Sequence, residues 1–288
     1  MNYADKTIKE NEIKLFFFII LTSLIILFLG YLITDILNLG MTGIIISIAA
    51  AAGMNFFSYF FSKTIVLKSQ RAIPMRRENF PEYYDMVKNM CEQNNMILPE
   101  LYYIESPALN AFATGRNQKN AAVVVTSGLL QNVPLDEVSG VVGHELSHIL
   151  HKDIMITSFI TTLVGCITIF ASALRNTSTN RRNQSSSFAL IAGIFATLIA
   201  PVVAMLIQMA VSRSREYMAD ATGGQICGDP KLLAKALYRI SHDGNEMPMA
   251  NSATAPLYIS NPLKNNILTN LFSTHPNIDD RIKRLNAM

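Results

Sequence analysis

The sequence predicts a mainly helical α+β protein tied to a membrane by an N-terminal pair of helices, and three observations carry that prediction. Four uncharged apolar runs punctuate the chain, each about the length a helix needs to cross hydrocarbon. Residues 78–153 and 212–288, on either side of the second pair of runs, together amount to about 150, the size of one compact domain with a small β-sheet. One helix of that domain carries two histidines four residues apart.

The composition sets the class. Of 288 residues, 50% are hydrophobic and only 16% are charged, against roughly 25% charged in globular chains. That excludes a disordered chain and an ordinary soluble enzyme. A net charge of +3 gives no reason to expect nucleic acid as a partner. The apolar excess is clustered in residues 15–34, 41–61, 154–174 and 188–211. The second pair of runs is richer in Thr, Ser, Ala and Gly, and Pro201 is expected to kink the last. The first run exceeds the 7–15 apolar residues of a signal core and lacks a small-x-small site, so it is expected to be a retained anchor.

Orientation follows from the basic residues flanking the spans. Lys6, Lys9 and Lys14 precede the first run, residues 35–40 carry no Lys or Arg, and Lys63, Lys68, Arg71, Arg76 and Arg77 follow the second. Both basic flanks are expected inside and the short turn outside, which faces the middle of the chain to the cytoplasm. The loop 175–187, with three Arg and no acid, runs against this rule if the second pair spans fully; that hairpin either crosses, dips into the bilayer or packs on the protein. Cys91, Cys166 and Cys227 are odd in number and widely spaced, which predicts reduced thiols.

The expected organisation is an anchor over 1–77 and a domain over 78–288, interrupted by the apolar hairpin at 154–211. In order, residues 81–94 read as a helix with Tyr84, Val87 and Cys91 on one face. Residues 101–105, 111–114 and 121–126 are rich in β-branched or aromatic side chains and read as strands, with a polar turn at 115–120. Residues 135–151 have helical periodicity. Asp229-Pro230 is a cap followed by proline at the first helical position, opening a helix to about residue 240. Residues 241–273 read as a polar loop and 277–285 as a short final helix.

The chemistry sits in the 135–151 helix, where His144-Glu145-Leu146-Ser147-His148 spells H-E-x-x-H. Residues i and i+4 share a helical face, so both imidazoles can reach one ion, with zinc the usual occupant, and Glu145 lies beside them to take a proton from water. Two of only five histidines fall at this spacing. A catalytic zinc needs a third protein ligand; the candidates are Glu216, Glu246, His242, His275 and Asp220. Glu216 leads, because an apolar hairpin that leaves the domain and returns brings residues 148 and 216 back to the same level. Asp220, at i+4 from Glu216, can accept a hydrogen bond from the second ring nitrogen of a zinc-bound His.

With these pieces in place, the chain resembles HtpX-type membrane zinc metalloproteases, relatives of the CAAX prenyl proteases. The resemblance runs through the paired spans, Asn110-Ala111-Phe112-Ala113-Thr114-Gly115, the H-E-x-x-H segment with Asp153 after it, and the apolar hairpin. It continues through Ser212-Arg213-Ser214-Arg215-Glu216-Tyr217-Met218-Ala219-Asp220 and ends with Ser273-Thr274-His275-Pro276 followed by Arg281-Ile282. It implies a thermolysin-like catalytic core, one Zn2+ per chain, proteolysis at the cytoplasmic face of the cell (inner) membrane, and a role in membrane-protein quality control and stress response. It also implies that Asn110, Ala111, Phe112 and Ala113 pair with an extended substrate through backbone bonds, and that His275 donates to the oxyanion. His151 reads as a surface histidine, and His242 has no supporting context. The expected partners are the lipid bilayer and peptide segments of membrane proteins. Three alternatives belong to other classes. A CAAX-type processing protease would need more spans. An intramembrane protease would bury H-E-x-x-H in an uncharged run, whereas Asp136, Glu137, Lys152 and Asp153 bracket it here. A non-enzymatic chaperone or scaffold would tolerate loss of Glu145 or Glu216.

Overall fold

The computed structural model describes residues 3–36, 38–179, 212–247, 249–251, 253–263 and 276–288. The fourth apolar run, residues 188–211, lies outside them with the expected kink at Pro201, as does the loop from 180 to 187.

Helices α1 (Tyr3–Ile36) and α2 (Gly40–Phe60) pack side by side, and both are long and apolar enough to cross a membrane. Small and polar residues line their contact. A Cβ on Gly30 would collide with Ser47, and one on Gly43 with Thr34. Thr22 Oγ1 donates to Asn55 Oδ1 at 2.9 Å, and Asn55 Nδ2 donates to Ser23 Oγ at 3.0 Å. Close backbones and interhelical hydrogen bonds are how helices pair when the surroundings are as apolar as leucine. The outward faces carry Phe16, Phe17, Leu24 and Phe28 on α1 and Ile45, Ile48, Phe56 and Phe57 on α2, all exposed. Such a surface suits hydrocarbon and not water.

Helix α3 (Ser62–Ser69) leads to β1 (Ile73–Pro74), the first strand of a mixed sheet, and α4 (Pro81–Gln93) follows. Pro81 opens α4 at its first position, and Tyr83, Val87, Met90 and Cys91 bury one stripe of it. Tyr84 packs half-buried against the same core, on the expected face, and Tyr83 is the fully buried aromatic; positions 83, 87, 90 and 91 follow the i, i+4, i+7, i+8 spacing. The sheet is completed by β2 (Glu100–Ile104), β3 (Ala111–Gly115) and β4 (Ala121–Thr126). Its order is β1-β2-β4-β3 among the described residues, antiparallel except for the parallel β2–β4 pair. Gly115 has φ +135°, and a Cβ there would lie 2.1 Å from Asn120 O; only glycine closes this turn. The short α5 (Ser127–Asn132) is capped by Thr126, whose Oγ1 accepts from Leu129 N.

Helix α6 (Leu135–Leu150) is the axis of the domain. Its first turn carries Asp136 and Glu137, favourable at a helix N-terminus, and it is buried almost throughout from Glu137 to Ser147. The sheet lies on one side of it, and α8 (Arg213–Cys227) and α9 (Pro230–Ser241) lie on the other. Asp229 caps α9 with a 2.9 Å bond from Lys231 N. The final helix, α10 (Ile278–Asn286), is capped by Asn277.

After α6 the chain turns by 86° into α7 (Asp153–Thr179). The corner residue, Lys152, has φ +59°. The early turns of α7 do not face outward. Ile156, Phe159, Ile160 and Leu163 are buried with Leu15 and Phe18 of α1, and Ser158 Oγ bonds Thr114 Oγ1 at 2.9 Å and Gly115 N at 3.0 Å. The third apolar run thus begins packed against the anchor and the sheet edge. Among the three possibilities for this hairpin, packing on the protein describes its first four turns.

Helices α6 and α8 meet with almost no space between their backbones. A Cβ on Gly223 would lie 2.6 Å from His144 N, and one on Gly143 would lie 2.5 Å from Gly223 O. This contact puts the backbone of His144 directly against the helix that carries Glu216 and Asp220. Gly223→Ala is expected to destabilise the protein by about 1–3 kcal/mol, because backbone atoms cannot yield as a side chain would. Thermal unfolding of the detergent-solubilised chain measures this, and an unchanged midpoint would contradict the close approach.

Candidate active site

On α6, His144, Glu145 and His148 fall in the C-terminal half of the helix, and on α8, Glu216 and Asp220 are one turn apart, so two helices present five functional side chains to one space. His144 Nε2 and His148 Nε2 are 3.1 Å apart. Glu216 brings its carboxylate oxygens to 3.7 Å from each ring nitrogen. One ligand atom from each of the three residues lies within 4.8 Å of the others.

The opposite ring nitrogens are tied down. Asp220 Oδ1 lies 3.0 Å from His144 Nδ1, and Asp153 Oδ2 lies 3.0 Å from His148 Nδ1. Each carboxylate accepts a hydrogen bond from Nδ1–H, which leaves the lone pair of each Nε2 free to point inward. Arg281 on α10 is fully buried and grips Asp220 with two bonds, Nε to Oδ2 at 2.9 Å and Nη2 to Oδ1 at 2.7 Å. Its Nη2 also lies 3.3 Å from His144 Nδ1. The carboxylate contacts are shorter and charge-assisted, so Nδ1 is better described as donating to Asp220, with the guanidinium sharing that oxygen.

Two bare ring nitrogens and a carboxylate converging on one space repel one another unless a proton or a cation lies between them. The donor set, two imidazoles and a carboxylate with each imidazole held from behind, suits Zn2+. The charges reflect the same crowding. Burial pushes His144 down to about 4. His148 is also penalised by burial, but its bond to Asp153 and the nearby Glu216 outweigh this and raise it to about 9. Burial pushes the Glu145 carboxyl up to about 7, helped by Glu216 and opposed by His148 and by the Ala113 N–H. Asp220 is held down to about 2, because Arg281 and His144 overcome its burial. A carboxyl poised near neutrality is suited to exchanging protons with a reacting group.

The cleft over these residues is walled by Ala113 of β3, by Thr157 of α7, by Arg215 and by the segment 256–259. Strand β3 is a sheet edge, and its alternate residues face away from β4. That edge is partly taken: Ile259 N donates to Ala111 O at 3.0 Å, and Asn110 Nδ2 donates to Ser260 O at 2.9 Å. Phe112 is buried against Tyr258. Of the four residues expected to pair with substrate, Ala113 is the one that lines the cleft.

The remaining candidates fall outside the cluster. Among the described residues, Glu246 and His242 stand apart from the three ligands, and His242 Nδ1 bonds Tyr238 O on its own helix. His275 lies outside the described residues. His151 is not a surface residue: it is 4% exposed, its Nδ1 lies 3.2 Å from Ser147 Oγ, and its carbonyl accepts from Asn11 of α1. Two features of the site are not evident from the sequence. Arg281 belongs to a recognisable motif that gives it no role; its spacing of four from buried Leu285 is the available signal. The segment 256–259 lies in a stretch that reads as a polar loop, and its signal is the apolar run Pro256-Leu257-Tyr258-Ile259.

Comparison with known proteins places this geometry. The model of peptidase family M48 matches residues 77–288. The chain belongs to peptidase family M48. A curated relative, the protease HtpX homolog of Syntrophobacter fumaroxidans, is 41% identical over 256 residues, covering 86% of this chain and 91% of that protein. Among solved structures, S. mikatae Ste24p aligns over 95% of this chain and 67% of its own, at 19% identity and a TM-score of 0.47. The chain is therefore a metalloprotease of this family with membrane-spanning helices, and the cluster of His144, His148 and Glu216 fits a zinc site.

Replacing Glu216 by Gln keeps the shape of the side chain but removes its charge. Zinc affinity is expected to fall by about tenfold or more, measured by competition with a chromophoric chelator. Wild-type affinity in this variant would remove Glu216 from the ligand set.

Proposed function

We propose that this protein is an integral-membrane zinc endopeptidase that cleaves segments of misfolded membrane proteins at the cytoplasmic face of the cell membrane. The observation that carries the proposal is the convergence of His144, His148 and Glu216 beside a buried Glu145 at the edge of β3. In this reading His144, His148 and Glu216 hold the zinc, and Asp220 and Asp153 orient the two rings. The metal, when bound, supplies Lewis acidity and makes a water acidic near neutral pH. Glu145 is the general base: it takes the proton of the attacking water and later delivers it to the leaving amine. The outward edge of β3 at Ala113 receives an extended peptide through backbone bonds, which selects for unfolded segments over particular side chains. His275 is proposed to donate to the oxyanion. The thermolysin-like description of the core and the quality-control role rest on the family resemblance.

Glu145→Gln is expected to keep the fold and the zinc while lowering casein cleavage by about 10²–10⁴-fold. Near wild-type cleavage in a zinc-loaded Glu145→Gln variant would refute its role as base.

The proposed orientation is supported by the basic residues on both flanks of the anchor, Lys6, Lys9 and Lys14 before it and Lys63, Lys68 and Arg71 after it. In a cysteine-free background, a cysteine at position 94 is expected to react with an impermeant probe only after the inner side is opened. A cysteine at position 38 is expected to react from outside, and the reverse pattern would invert the topology.

A further inference from the structure

The polar start of α1, ahead of its apolar stretch, lies on the corner between α6 and α7 and not in solvent. Asn11 is 1% exposed. Its Nδ2 donates two bonds, to His151 O at 3.0 Å and to Asp153 Oδ1 at 2.8 Å. The next residue, Glu12, accepts from Lys152 Nζ at 2.7 Å. Asn11 thus holds the residues on both sides of Lys152 with buried bonds, whereas the Glu12–Lys152 pair lies at the surface. That corner needs holding, because Lys152 sits at φ +59°, a conformation that costs a non-glycine residue about 1–2 kcal/mol and persists where the surroundings enforce it.

The corner sets the metal centre because it places Asp153. The two oxygens of that carboxylate have different duties: Oδ2 faces His148 Nδ1 at 3.0 Å, and Oδ1 accepts from the Asn11 amide at 2.8 Å, with Arg215 Nη1 farther off at 3.7 Å. With Oδ1 pinned, rotation about the carboxylate is blocked, and Oδ2 is held where it fixes the His148 ring. Anchoring to a membrane requires only the apolar face of α1. Both protons of this buried amide are spent on the corner, although its Oδ1 finds no hydrogen-bond partner among the described residues.

We propose that Asn11 is a positioning residue of the metal centre, acting through Asp153 on His148, so that the first membrane helix completes the active site. The proposal rests on His144, His148 and Glu216 being the zinc ligands.

The test uses the full chain in detergent, stripped of metal and titrated with zinc against a chromophoric chelator. Asn11→Leu and Asn11→Ala are compared with Glu12→Gln, which breaks only the surface ion pair to Lys152. Zinc affinity is expected to fall about 10- to 100-fold in both Asn11 variants, with kcat reduced and KM for a peptide unchanged. Glu12→Gln is expected to stay within about twofold of wild type, the scale of an exposed ion pair. The visible bands of the cobalt-substituted protein are expected to shift in the Asn11 variants alone. Asn11→Ala adds no bulk and carries the test if Asn11→Leu does not fold. A lower unfolding temperature with wild-type zinc affinity and cobalt spectrum would make Asn11 a packing residue and overturn the proposal. Equal losses in Glu12→Gln would overturn it as well, by assigning the effect to helix docking. Failure of the wild-type chain to bind zinc would instead refute the ligand assignment on which the proposal rests.

Discussion

Two imidazoles 3.1 Å apart, each fixed from behind by a buried carboxylate, are the constraint around which this fold is arranged. An imidazole can turn its lone pair towards a metal only if its other nitrogen has somewhere to put its proton. Asp220 and Asp153 provide that, and each must then be buried and held. Asp220 is held by Arg281 from the last helix, and Asp153, at the corner after α6, by Asn11 of α1. The C-terminal helix and the apolar hairpin are thereby joined to the same pair of rings from opposite sides. The backbone contact at Gly143 and Gly223 sets the separation of the two helices that carry the ligands.

The same constraint explains how a membrane anchor and a soluble-type catalytic helix share one core. The early turns of α7 are apolar enough to resemble a span, yet they are buried against α1 and the sheet edge. Ser158 contributes to the turn at Gly115 from that position. Strand β3 and the first turn of α7 wall the cleft together, and the packing of α7 on β3 gives the strand a dry, rigid backing. An edge strand that is buried on both faces can offer backbone groups to a peptide with little loss of order. The 256–259 segment takes the first part of that edge and meets Arg281 through Ile259 O at 3.2 Å, linking the cleft wall to the carboxylate that orients His144.

Most elements of the domain are legible in the sequence because local signals and tertiary demands agree. Proline at the start of α4 and α9, a β-branched β4 and the apolar periodicity of α6 all point the same way in the sequence and in the fold. The two-residue β1 is not legible, since Ile73-Pro74 has no pattern of its own and exists only because β2 offers an edge to pair with. The sequence puts Tyr84 on the inward face of α4, where it is half-buried, and does not pick out Tyr83, which is fully buried beside it. His151 reads as a surface residue because the sequence does not show that this corner is met by a residue 140 positions away, Asn11, which bonds the His151 carbonyl.

What the sequence by itself determined is the chemistry: the residue types, their i to i+4 spacing on a helix, and the two spans, all consequences of local geometry and of transfer from water to hydrocarbon. That Glu216 returns to the histidines was also readable, because a hairpin must bring its ends together. What only the tertiary structure decided is which groups stand behind the ligands. Arg281, Asp153 and Asn11 come from three distant parts of the chain; Asp153 and Arg281 lie in motifs that name no partner for them, and Asn11 lies in none. Their partners are chosen by burial, which leaves a charge or an amide no water to bond and so makes its one available neighbour obligatory.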